Sequence, residues 1–88
     1  MTGSDFAWRV VSYCEITGAS VTSWKRTTAH NAVVGGVAFS AHLLGLAVDV
    51  VYDEPGQLIW RTRWAERLGL RLIAEGDHDH LQPLDWIK

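Results

Sequence analysis

The segment Ser40-Ala41-His42-Leu43-Leu44-Gly45-Leu46-Ala47-Val48-Asp49-Val50-Val51 decides how this chain is read. From Leu46 to Tyr52 the residues are those of a strand, with Leu46, Val48 and Val50 on one face and Ala47, Asp49 and Val51 on the other. Asp49 is out of place there. A carboxylate flanked by valines in a half-buried strand is strongly unfavourable unless something neutralises it. His42 stands on the other side of the turn at Gly45, so the two side chains can converge on one cation.

Working outward, the elements follow from periodicity and turn chemistry. Ser4 is the expected cap of a short helix through Phe6, Val10 and Val11, Gly18 ends the connection after it, and Val21 to Trp24 is a strand. Arg26 to Phe39, which contains Gly35-Gly36, has little periodicity and reads as a long ordered loop. Asp53-Glu54-Pro55-Gly56 is a turn. From Gln57 to Leu68, Trp60, Trp64, Ala65 and Leu68 recur at helical spacing as core positions, and Gly69 stops the helix. Leu70 to Ala74 and His78 to Gln82 are two further strands joined through Glu75-Gly76-Asp77. The predicted fold class is α+β: a small antiparallel sheet with two or three helices, in a single domain spanning residues 1–88.

Composition narrows the function. The formal charge is −2 and the eight Lys and Arg residues are scattered, so no basic stripe is available for a nucleic-acid backbone, which argues against nucleic-acid binding and against a metal-dependent nuclease. No apolar run approaches the roughly 20 residues that cross a bilayer, so no membrane partner is expected. The five tryptophans are expected to close a small core, and the lone Cys14 to be a buried, inert thiol. No basic segment followed by an apolar core opens the sequence, so the chain is expected to be cytoplasmic as synthesised. Oligomeric state is left open. A domain of this size buries only about 60–65% of its unfolded surface, so a metal cross-link would add stability.

The chemistry-bearing residues fall in two clusters: His42 with Asp49, and His78 and His80 with Glu75, Asp77 and Asp79. Histidine and carboxylate in this mixture suit zinc, which takes tetrahedral N and O ligands and keeps one position open in a catalytic site. His78 and His80, two apart, lie on one face of their strand. Asp79 between them is expected to face solvent or to serve as an acceptor behind the ligands.

The stretch from Ser40 to Asp49 resembles the SxHxxGxAxD signature of the zinc D-alanyl-D-alanine carboxypeptidases and dipeptidases and the L-alanyl-D-glutamate endolysins. Ser23-Trp24-Lys25-Arg26 is similar to the strand-end segment carrying that family's active-site arginine. His30-Asn31 with Gly35-Gly36 resembles the loop leading into the signature, and Asp77-His78-Asp79-His80 resembles the closing element, an acid three residues before the last histidine ligand. Together these segments cover about residues 20 to 82.

The resemblance implies the Hedgehog/D,D-peptidase fold with zinc on the sheet face. It implies His42, Asp49 and His80 as zinc ligands, Asp77 as general base, Arg26 as the cation for the developing oxyanion or the substrate carboxylate, and Ser40 as a donor behind the ligands. Well-known members carry Glu where this chain has Asp77. The same acid-to-histidine spacing also occurs at Glu75 and His78, so a shifted register would make those two the base and the ligand; His80 is favoured because the apolar Leu81 follows it. The implied activity is hydrolysis of an amide bond in peptidoglycan stem peptides, by a D,D-carboxypeptidase or an L-alanyl-D-glutamate endopeptidase of phage type. Such an enzyme reaches the wall after release or as part of a virion. The alternative is a zinc-stabilised binding module of the same fold that performs no hydrolysis.

Overall fold

The computed structural model describes residues 1–24 and 46–84. His42, Arg26 and Ser40, and with them the loop from Arg26 to Phe39, lie outside the described residues. In chain order the elements are α1 (Gly3–Thr17), β1 (Ala19–Trp24), β2 (Val48–Tyr52), α2 (Leu58–Arg67), β3 (Leu70–Ala74) and β4 (Asp79–Pro83). The α+β class is therefore as the sequence predicts. All strand pairs are antiparallel, in the order β1-β2-β4-β3, so β2 and β4 are central.

Helix α1 is longer than its sequence suggested. Phe6, Val10, Tyr13 and Thr17 recur at helical spacing and are its buried positions. The cap is Thr2 rather than Ser4: the Thr2 hydroxyl accepts from the Asp5 N–H at 3.1 Å. Gly18, at φ 76°, ends the helix directly, its N–H donating to Cys14 O at 2.8 Å. Val11 and Trp8 fall off the inward stripe; Trp8 is 72% exposed, so it does not close the core.

In α2 the inward positions are Arg61, Trp64, Ala65 and Leu68, of which Ala65 is fully buried. Trp60, expected in the core, is exposed because Arg61 takes the inward place at the start of the helix. Gly69, at φ 73°, then turns the chain into β3.

The core lies between the helices and one sheet face. Val48, Val50, Leu70 and Leu81 from the sheet meet Phe6, Val10, Tyr13 and Ala65 from the helices, with Trp24 edge-on to Phe6 at 5.8 Å. The alternation read from the sequence holds, Val48 and Val50 being buried while Asp49 and Val51 are only partly so. Among the described residues no helix is long and apolar enough to cross a membrane.

Candidate metal centre

Strand register builds the site. Asp49 of β2 is paired with His80 of β4, and opposed residues of antiparallel strands send their side chains to the same face. Val48 pairs with Leu81 and so puts Leu81 on the helix-packed face, which leaves His80 on the other. A two-residue slip of β4 would keep a histidine opposite Asp49 but displace Leu81 from its place against Val48 and put there Asp79, moved away from the Arg61 and Tyr52 groups that satisfy it. The core therefore selects His80 over His78 as the neighbour of Asp49.

His80 Nδ1 lies 3.3 Å from Asp49 Oδ1, with 11% and 24% of the two side chains exposed. That carboxylate oxygen is buried and accepts no hydrogen bond among the described residues. Such an oxygen is costly unless a cation or a donor reaches it. On the opposite side of the ring, Nε2 is 2.7 Å from the Oε1 of Gln82, a residue only 1% exposed. On β1, a bulge between Val21 and Ser23 brings the Thr22 hydroxyl within 3.3 Å of the Asp49 carbonyl, to which it donates.

Glu75, not Asp77, joins this pair. One ligand atom each from Asp49, Glu75 and His80 lie within 4.8 Å of one another. Asp77, expected as the general base, has a side chain 93% exposed and lies outside that group. Its carboxylate instead meets Nδ1 of His78 at 2.7 Å, while His78 Nε2 meets Glu75 Oε1 at 3.0 Å. His78 thus stands between two carboxylates and holds Glu75 by its Oε1. The hydrogen bond to Asp77, followed by that to Glu75 and the charge of Asp49, raises the His78 pKa above its ordinary value, and its bond to His78 lowers that of Asp77.

The donor set fits a borderline divalent cation. One imidazole nitrogen and two carboxylates, with an orphaned buried oxygen among them, suit zinc. Asp49 and His80 would hold such an ion, with the Glu75 carboxylate beside it, together with any ligand contributed from outside the described residues.

Behind the strand is a second polar group that sequence reasoning missed. Asp79 is not solvent-facing: it is 3% exposed and points to the helix face, as the residue between two outward histidines must. Its Oδ2 accepts from Arg61 Nε and from the Tyr52 hydroxyl, each at 2.7 Å, and the Tyr13 hydroxyl is 2.7 Å from that of Tyr52. The Arg61 guanidinium also stacks over the Tyr52 ring at 5.2 Å. Beside this group a cavity of about 160 Å³ is lined by Val51, Tyr52, Pro55, Arg61, Asp77 and His78. The turn at Pro55 thus borders a cleft next to the Glu75-His78 pair.

A family model described as Peptidase M15 matches residues 13–82, which includes every strand and both acid-bearing histidine segments. The chain belongs to the peptidase M15 family. No curated protein and no solved structure matches it. M15 peptidases are metallopeptidases and are generally zinc-dependent, which agrees with the Asp49, Glu75 and His80 group. Within the M15 match, Gln82 and Arg61 were the residues that sequence reasoning passed over. The signal for Gln82 was its position two residues beyond His80 on the same strand face, and for Arg61 its place in the helical stripe with Trp64 and Leu68.

Proposed function

We propose that the chain is a zinc-dependent peptidase that hydrolyses an amide bond in peptidoglycan stem peptides, as a D,D-carboxypeptidase or an L-alanyl-D-glutamate endopeptidase of phage type. The observation that carries this reading is the convergence of Asp49 and His80 from adjacent strands, with a buried carboxylate oxygen that lacks a donor among the described residues. Zinc held there would lower the pKa of a bound water to about 7 and polarise a scissile carbonyl.

The protein's own residues supply the rest. Asp49 and His80 are the described ligands, and His42, outside the described residues, is the third. Glu75 is the carboxylate within reach of this group, so it is the residue we assign to accept a proton from the attacking water and to return it to the leaving amine. This moves the base from Asp77 to Glu75. His78 then acts as a clamp on the Glu75 carboxylate, and Asp77 anchors that clamp from solvent. Arg26 is assigned the developing oxyanion or the substrate carboxylate, a role suited to planar paired donors. Ser40 supports the ligand segment.

The test is release of new amino groups from purified cell walls, followed by mass spectrometry of the products to identify the cleaved bond. Turnover is expected with the zinc-loaded chain, abolished by chelation and lowered about 10²–10⁴-fold in Glu75→Gln. Zinc binding with no turnover on any wall or stem peptide would replace this reading with the non-catalytic binding module.

A further inference from the structure

The carboxamide of Gln82 approaches the His80 imidazole from the side away from Asp49. Glutamine is seldom fully buried, yet Gln82 is 1% exposed and follows His80 by two residues, on the same face of β4. Its Oε1 lies 2.7 Å from His80 Nε2. A carbonyl oxygen only accepts, so this contact requires a hydrogen on Nε2. In the neutral ring Nδ1 then carries a lone pair rather than a hydrogen, and it lies 3.3 Å from Oδ1 of Asp49, which accepts no hydrogen bond among the described residues. Two lone pairs opposed at that distance repel each other, and a divalent cation bound by both reverses the sign.

We propose that Gln82 is a positioning residue of the metal centre: its side-chain carbonyl fixes His80 as the Nε2–H tautomer and so makes Nδ1 the atom offered to the ion. This rests on the reading of Asp49 and His80 as ligands and goes beyond it by naming the ligating atom and the group that selects it. The acceptor also makes the imidazole a better donor to the ion, an effect whose loss typically weakens metal binding 10–100-fold.

The experiment is nitrogen-15 NMR of the His80 ring in the full-length, metal-stripped chain, at a pH where the ring is neutral, beside zinc affinity by chelator competition. Wild type is expected to show a protonated Nε2 and an unprotonated Nδ1. Gln82→Met, which keeps the length and removes the acceptor, is expected to lose that preference and bind zinc 10–100-fold more weakly. Gln82→Glu can only accept and is expected to keep both properties. An Nδ1–H tautomer in wild type overturns the proposal even if Gln82→Met fails to fold, and so does a folded Gln82→Met with unchanged tautomer and affinity. Failure of wild type to bind zinc would instead sink the ligand reading, whatever the tautomer.

Discussion

Arg61 Nε and Asp79 Oδ2 lie 2.7 Å apart with only 12% and 4% of their side chains exposed, so the residue between the two histidines is anchored to the helix on the far side of the sheet. His80 faces the opposite way from the next position along β4. The strand that carries a proposed ligand is thus fastened from behind by an ion pair, a tyrosine hydroxyl and, through it, Tyr13 of α1.

Breaking that pair from one side leaves a buried charge. Asp79→Ala is expected to cost about 3–5 kcal/mol, because the Arg61 guanidinium loses its partner in a place water does not reach freely. Removing both charges with an apolar pair of similar volume should recover most of the loss. Urea denaturation of the single and double variants measures this; equal destabilisation in both would show that the charge itself is not the issue.

Metal loading separates the two histidines. Asp49→Ala and His80→Ala are expected to lose stoichiometric zinc, whereas His78→Ala, which removes only the clamp on Glu75, should keep it. Elemental analysis after dialysis is sufficient. Zinc retained in His80→Ala and lost in His78→Ala would exchange their roles.

The two acids are told apart by turnover. Glu75→Gln should lower kcat by about 10²–10⁴, while Asp77→Asn should cost less than about tenfold. The latter should also bring the His78 pKa down toward its ordinary value, since the bond to Asp77 is the main reason it is raised. A full loss of rate in Asp77→Asn with Glu75→Gln active would return the base to Asp77.

Alkaline pH addresses the tyrosines. Burial pushes the Tyr13 hydroxyl up to about 12 and raises Tyr52 as well, with the Tyr13 and Asp79 contacts adding to the latter. The fold favours both neutral forms, so their contribution is fully present below the unfolded value of about 10 and is lost as pH rises from there. Ultraviolet titration should show no phenolate from these two rings near pH 10, followed by ionisation coupled to unfolding. Normal titration in the folded chain would contradict the buried pair.

Gly69 offers a backbone test. At φ 73° a side chain is strained, and a Cβ there would sit 2.6 Å from Arg9 Nη1, which is held by the Leu68 carbonyl at 2.8 Å. Gly69→Ala is expected to cost about 1–2 kcal/mol. Thermal unfolding reads it directly, and an unchanged midpoint would mean that the turn relaxes.

What the sequence by itself determined is whatever depends on neighbours in the chain. The alternation from Leu46 to Tyr52 places Asp49 opposite in facing to Val48 and Val50, the Glu75-Gly76-Asp77 segment marks a hairpin, and the mixture of histidine and acid marks metal chemistry, because pleat, turn and ligand type are local properties. Only the tertiary structure decided that Glu75 rather than Asp77 turns toward His80, that Gln82 backs the imidazole, and that Asp79 belongs to Arg61. Each is a matter of which side chain meets which across strands or between sheet and helix. The repeat Asp77-His78-Asp79-His80 looks alike in two registers, and the burial of Leu81 against Val48, dozens of residues away in the chain, is the force that selects one.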